Sequence, residues 1–170
     1  MKIAIIGYSG SGKSSLARQL GQHDAIPVTH LDRLHFLPNW QERSCSDFRQ
    51  LVKPILQEDD WLIEGNYSET YYQERLAQAD IIIMLLFPAY RTYYRVLKRY
   101  LSYKGKTRPD MADGCLEKLD WAFTKWIWWD GRNQKHKANY QHIAQTYGDK
   151  VLILNSQKAI DGYLSQLTSG

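Results

Sequence analysis

Along the chain, apolar positions switch between the short continuous runs of buried strands and the three-to-four-residue recurrence of helices. Residues 2–6 are a β-branched run closed by Gly7, which predicts a buried strand. A glycine-rich turn follows, and residues 14–22 carry Leu16, Ala17 and Leu20 at helical spacing with Gly21 as a stop. A second strand is expected over 26–31. Residues 45–57 predict a helix with Phe48, Leu51, Val52, Ile55 and Leu56 on its apolar face, kinked or shortened by Pro54. Residues 61–64 predict a third strand, and 68–78 a helix capped by Ser68. The continuous apolar run 81–87 suits a fourth strand buried on both faces, as in a parallel sheet covered by helices. A long helix over 88–103 is expected to pack through Tyr90, Tyr93, Tyr94, Leu97, Tyr100 and Leu101, leaving Arg91, Arg95 and Arg99 on the other side. Further helical patterns cover 116–129 and 133–147, then a last strand at 151–154 and a closing helix at 159–167. Five strands alternating with helices predict an α/β fold, a doubly wound three-layer sandwich around a mostly parallel five-stranded sheet.

The chain has 170 residues, one domain's worth, with 44% apolar and 24% charged residues, so a folded globular protein is expected rather than a disordered or fibrous one. The longest apolar run, 81–87, is far below the roughly 20 residues that span a bilayer. Lys2 is followed by only four apolar residues before Gly7, too few for a signal-peptide core, so a cytoplasmic location without membrane contact is expected. Cys45 and Cys115 lie far apart without metal-ligand spacing and read as reduced thiols.

The net charge of +4 is unevenly placed. Residues 91–137 hold 12 Lys or Arg against 5 Asp or Glu, whereas the remainder is slightly acidic. Arg91, Arg95, Lys98, Arg99, Lys104, Lys106 and Arg108 follow one another with no acid between them, which reads either as a solvated basic face or as a region that meets an anion.

The strongest chemistry is Gly7-Tyr8-Ser9-Gly10-Ser11-Gly12-Lys13-Ser14, followed by Ser15. It matches G-x-x-x-x-G-K-[ST] at every fixed position and sits between the first strand and the first helix. There, backbone N–H groups and a helix N-terminus converge on phosphate oxygens. Glycines let the chain wrap a β-phosphate, Lys13 supplies positive charge toward the β- and γ-phosphates, and the Ser14 hydroxyl can ligate Mg²⁺. Asp32 ends the second strand, where it could orient or deprotonate an acceptor hydroxyl, hold a metal-bound water, or simply cap the next turn. Glu64 ends the third strand, placed either to reach Mg²⁺ through water or to form a surface salt bridge. Arginines that meet charge on a transferred phosphoryl group would be Arg95 and Arg99 first, with Arg91, Arg108 and Arg132 in reserve.

The P-loop, Asp32, Glu64-Gly65, the R-x-x-x-R spacing of Arg95 and Arg99, and Asn155-Ser156 after the last strand together resemble the adenylate-kinase-like group of small P-loop kinases. More specifically, Gly7 through Ser14, His30-Leu31-Asp32, Glu64-Gly65-Asn66-Tyr67, Lys98-Arg99-Tyr100, Gly105-Lys106-Thr107-Arg108-Pro109-Asp110-Met111 and Gly114-Cys115 resemble the bacterial DNA topology modulation proteins. The resemblance spans nearly the whole chain. It implies strand order 2-3-1-4-5, an acceptor-binding region over about 33–60, a basic helical lid over about 91–137, and adenine near Asn155 and Ser156. In adenylate kinases the third strand leads into an acidic-Gly-aromatic-Pro-Arg run; here Asn66-Tyr67-Ser68 follows Gly65, which favours an acceptor without a phosphate, such as a nucleoside or another small alcohol. The expected function is thus an ATP- and Mg²⁺-dependent small-molecule kinase, with Lys13, Asp32, Arg95 and Arg99 catalytic, acting as monomer or homodimer. The alternative is a nucleotide-gated DNA-binding regulator with slow hydrolysis, because the basic segment interleaves aromatics. Among these, Trp121, Trp126, Trp128 and Trp129 either pack the lid on the core or line the acceptor pocket.

Overall fold

The computed structural model describes residues 1–168. Its main sheet contains β1 (Lys2–Gly7), β2 (Val28–His30), β5 (Trp61–Glu64), β6 (Ile81–Leu85) and β7 (Val151–Leu154), all parallel, in the order β2-β5-β1-β6-β7. Numbered over these five strands alone, the order is the expected 2-3-1-4-5. Between β2 and β5 the chain adds a small antiparallel hairpin, β3 (Phe36–Leu37) with β4 (Gln41–Glu42), which hydrophobic patterning did not reveal because it is two residues per strand.

Alternating side chains of each central strand feed two separate cores. Ile3, Ile5, Leu62, Ile83 and Leu85 pack on Leu16, Ala17 and Leu20 of α1 (Lys13–His23) and Ile160 of α8 (Gln157–Thr168). Ala4, Ile6, Ile63, Ile82 and Met84 face α3 (Cys45–Ile55), α4 (Tyr72–Gln78) and α7 (Gln134–Tyr147) through Phe48, Val52, Leu76, Tyr140 and Ile143. The period-2 alternation therefore builds the three layers directly. Both cysteines are free thiols, Cys45 exposed and Cys115 buried. Among the described residues no helix is long and apolar enough to cross a membrane.

Three local expectations are corrected. The second strand gives way at Leu31 to a short helix, α2 (Leu31–His35), so Asp32 lies in that helix's first turn. The helix expected from Ser68 begins only at Tyr72, after Tyr71 adopts a left-handed φ of 49°. In α5 (Ala89–Tyr103) the expected packing side faces solvent: Tyr90, Tyr94 and Leu101 are more than half exposed, and Thr92 and Val96 are the buried pair. The inward face of α5 abuts a glycine loop, where Thr92 and Val96 fit, so Tyr90 and Tyr94 turn outward, while Tyr93, half-buried, meets the Trp128 ring at 5.8 Å. Trp121, Trp128 and Trp129, on and just after α6 (Trp121–Trp128), are likewise exposed rather than core.

The late start of α4 has a cause in Arg75. Its side chain is buried without an acidic hydrogen-bonding partner, and it donates to the carbonyls of Gly65 at 3.1 Å, Tyr67 at 2.7 Å and Thr70 at 3.1 Å. Burial pulls its pKa down to about 10, so it stays cationic at neutral pH. The loop 65–70 is thus wrapped around one guanidinium, and its path after β5 is set there. Arg75→Met, which fills the space but leaves those carbonyls unmet, is expected to lower unfolding free energy by about 2–4 kcal/mol in urea titration. A loss below about 1 kcal/mol would contradict this role.

Candidate functional site

β1 enters the glycine loop under tight constraint. Gly7 sits at φ 136°, and a Cβ there would run into the Leu85 backbone of β6. The Asn66 amide grips the same residue from the other side, accepting from Gly7 N at 3.0 Å and donating to Gly7 O at 2.8 Å. Gly10 would collide with Val96 if it carried a Cβ, and Gly12, at φ 99°, would collide with the Arg95 guanidinium. All three have a positive φ that strains any residue but glycine; at Gly7 the obstructing atoms are backbone as well, whereas the Arg95 guanidinium at Gly12 can swing aside. Gly12 is also the N-cap of the eleven-residue α1, and no side chain caps that end. Its first N–H groups are therefore directed at whatever occupies the loop.

Tyr8, Ser9, Gly10, Gly12, Lys13, Ser14 and Ser15 line one side of a cleft of about 1760 Å³. Gly7 and Ser11 lie behind them, with the Ser11 hydroxyl buried and without a protein partner. Lys13 folds its ammonium onto the carbonyls of Gly7 at 3.3 Å and Tyr8 at 3.2 Å. These are weak partners that an anionic oxygen would displace. Opposite stands Glu64, 3% exposed, whose Oε1 accepts from Ser14 Oγ at 2.8 Å and lies 3.0 Å from His30 Nδ1. The strand-end carboxylate thus faces the loop serine rather than solvent. Among the described residues no cluster of three or more His, Cys, Asp or Glu side chains could hold a metal unaided. A hydroxyl and a nearby carboxylate fit Mg²⁺ that takes its other ligands from phosphates and water.

Asp32 borders the same cleft and accepts from Tyr67 Oη at 2.7 Å. Burial and then the Glu64 charge raise its pKa above the usual carboxylate value, against the Tyr67 hydrogen bond and the charges of Lys13 and Arg108. Tyr67 is correspondingly held well above an ordinary phenol by burial and by Asp32. The pair leaves Asp32 as the proton acceptor and Tyr67 as its neutral donor.

The arginines separate into distinct positions. Arg95 reaches over the loop, donating to Gln157 Oε1 at 2.7 Å, with its guanidinium 5.1 Å from the Phe87 ring. Arg99 and Arg108 meet on one carboxylate: Arg99 Nε lies 2.8 Å from Glu117 Oε1, and Arg108 Nε lies 2.6 Å from Glu117 Oε2. Arg108 also donates to Asp110 Oδ2 at 2.7 Å. Burial would raise Asp110, but Arg108, a backbone N–H, the Ser14 hydroxyl and His30 outweigh it and hold the carboxyl low. Arg132 lies outside the cleft lining, stacked 3.8 Å from the centre of the Tyr8 ring and bonded to Thr92 Oγ1 at 2.9 Å. Arg91 is exposed at the start of α5, away from the cleft.

Asn155 and Ser156 do not line the cleft; Ser156 Oγ instead accepts from Ala159 N at the start of α8, and Gln157 faces the cleft. Trp126 borders the loop, donating to Ser9 Oγ at 3.3 Å. Sequence reading missed the roles of Asn66, Arg75, Asp110, Glu117 and Gln157. Arg75 carried a signal, since it falls on the apolar stripe between Tyr72 and Leu76, and Asn66 and Asp110 were marked only as members of the motifs of the resemblance.

No protein-family model matches this chain, and no curated protein matches it by sequence, so the resemblance to DNA topology modulation proteins has no support from either. Solved structures do match. An uncharacterized protein from Eubacterium ventriosum aligns over 100% of both chains at 16% identity and a TM-score of 0.52. Shikimate kinase from Bacteroides thetaiotaomicron aligns over 99% of this chain and 96% of its own, at 15% identity and a TM-score of 0.54. Shikimate kinase from Acinetobacter baumannii, solved in complex with shikimate, aligns over 99% of this chain and 90% of its own, at 11% identity and a TM-score of 0.54. At such identities the likeness establishes a shared architecture, the α/β sandwich around a five-stranded parallel sheet.

Proposed function

We propose that this chain is a phosphotransferase that moves the γ-phosphoryl group of ATP to the hydroxyl of a small molecule. The observation that carries this reading is the convergence of Lys13, Ser14, Asp32 and Glu64 on one cleft, with Ser14 and Glu64 in direct contact at 2.8 Å. The loop N–H groups and Lys13 hold the triphosphate. Ser14, with Glu64 beside it, is the place for Mg²⁺, which when bound neutralises phosphate charge. Asp32, kept buried and oriented by Tyr67, takes the proton of the acceptor hydroxyl. The acceptor oxygen forms its bond to the γ-phosphorus as the bond from that phosphorus to the β–γ bridging oxygen breaks, and ADP leaves. Arg95 and Arg99 face the cleft and supply positive charge to the transferred group, with residues 91–137 serving as the lid that carries Arg99 and Arg108. Glu117 and Asp110 hold that pair in place between turnovers.

Arg95, Arg99 and Arg108 turn toward the cleft and Arg132 stacks on Tyr8, which favours phosphoryl transfer over DNA binding for the basic segment. A charged face built for a nucleic-acid backbone would present these side chains to solvent.

In an ADP-release assay, Lys13→Ala and Arg99→Ala are expected to lower kcat by about 10²-fold or more, while the exposed Arg91→Ala stays within about twofold. Equal effects of the Arg91 and Arg99 changes would remove the assigned geometry. The pH profile offers a second check. Asp32 must be ionised to act as base, so kcat/KM rises with pH through its elevated pKa. Tyr67→Phe deletes a hydrogen bond that lowers that pKa, so the acid limb is expected to move to higher pH. An acid limb that stays put or moves to lower pH would count against Asp32 as base.

A further inference from the structure

The acceptor end of the cleft has a chemical character of its own. Chain segment 31–73 contributes four carboxylates to the lining: Glu64 beside the phosphate loop, and Asp32, Glu42 and Glu69. The same segment contains Arg33, Arg43, Arg49 and Lys53, and none of them lines the cleft. Two of these are occupied elsewhere: Arg43 donates to Leu34 O at 2.9 Å and Arg49 to Glu69 O at 3.0 Å. Of the cations nearest Asp32, Lys13 is committed to the phosphate loop and Arg108 to Asp110 and Glu117. Lys118 reaches the rim, where it stands 5.0 Å from the Trp40 ring and 3.7 Å from Asp120. Near Asp32 an anionic group on the acceptor would therefore meet carboxylates, while the guanidiniums of Arg99 and Arg108 are already engaged with Glu117 and Asp110.

The same region presents a continuous series of rings. Trp40 meets Phe36 at 5.2 Å, Phe36 meets His35 at 4.8 Å, and His35 meets Tyr67 at 4.6 Å, which in turn holds Asp32. All four border the cleft. Trp40 is placed there at conformational expense, since both Asn39 and Trp40 have a left-handed φ of 61°. Its indole N–H is anchored to Leu116 O at 2.9 Å, so the ring is fixed against the base of the arm that bears Glu117. Backbone strain at a bulky residue, sustained by such an anchor, is the mark of a side chain whose position matters.

Resting on the phosphotransfer reading, we infer that the acceptor is an uncharged or cationic alcohol bearing a flat ring, that the ring stacks in the aromatic wall ending at Trp40, and that phosphate- or carboxylate-bearing acceptors are rejected. Nucleosides are the accessible members of this class. A flat ring gains stacking contact along the wall, its hydroxyl reaches Asp32, and a positive charge is tolerated by Glu42 and Glu69.

The test uses the full chain in calorimetric and ADP-release titrations with adenosine, guanosine, cytidine and thymidine, each beside its 5′-monophosphate, and with shikimate as the carboxylate-bearing ring alcohol. At least one nucleoside is expected to bind and to stimulate ADP release, with its monophosphate and shikimate at least about tenfold weaker. Trp40→Ala should raise KM for that nucleoside about tenfold with kcat and the KM for ATP held, and Trp40→Phe should restore it. Glu69→Arg, which adds a cation to the wall, should narrow the gap between nucleoside and monophosphate. Preference for a monophosphate or for shikimate, or no binding by any nucleoside, overturns the inference. ATP titrated in parallel separates the two readings: ATP bound without a nucleoside defeats only the acceptor assignment, whereas no ATP bound defeats phosphotransfer itself.

Discussion

The site depends on how tightly β1 is held where it ends. Gly7 is pressed against the Leu85 backbone on one side and paired through both its N–H and its C=O with the Asn66 amide on the other. That clamp fixes the exit direction of the chain, and with it the loop whose end is the uncapped start of α1. Asn66 in turn belongs to the segment that Arg75 gathers by three carbonyls. A buried cation with no acid hydrogen-bonded to it would ordinarily be a liability, and here its charge is spread over backbone dipoles that need donors. One guanidinium therefore supports both the strand-end clamp and the placement of Tyr67 beside Asp32.

The second organising feature is the pairing of charges in the cleft. Acids and bases alternate across it: Lys13 near Asp32, Ser14 and His30 on Glu64, Arg108 between Asp110 and Glu117, and Arg99 on Glu117. Burial penalises each of these charges singly and tolerates them as a network. Burial, with Arg108 alongside, pulls the Arg99 pKa down while Glu117 opposes, so this cation is held by its partner rather than by water. A polyphosphate entering the cleft would meet cations already directed inward.

Much of this was legible in the residues alone. The five strands and the P-loop followed from short apolar runs and an eight-residue motif that works through backbone geometry, which is local and needs no tertiary knowledge, whereas the strand order came only with the resemblance to adenylate-kinase-like P-loop kinases. Glu64 was legible for the same reason, because a polar residue ending a core strand has few places to go. The packing side of α5 was not, since amphipathic patterning assumes that large apolar residues turn inward, whereas the glycine loop leaves room only for Thr92 and Val96. Asn155 and Ser156 do not line the cleft: Ser156 satisfies a helix start, and Gln157, the next residue, faces the cleft. Glu117 had no sequence signal, because its importance lies in Arg99 and Arg108, which approach from elsewhere in the arm, and Asp110 was marked only as part of the Gly105–Met111 motif of the resemblance. The hairpin that carries Trp40 escaped notice because its strands are too short for periodicity and its turn uses Asn39 and Trp40, not glycine, in left-handed conformations.

The central claim is that the loop from Gly7 to Ser15 exists to hold a nucleoside triphosphate. Calorimetric titration of the intact chain with ATP in the presence of Mg²⁺ measures this directly. The account predicts saturable one-to-one binding that is lost when a side chain is forced into the loop by Gly12→Val, in protein that stays folded although the strained φ of 99° lowers its urea midpoint. Absence of binding to the native chain, or binding unchanged in the folded Gly12→Val protein, would contradict it.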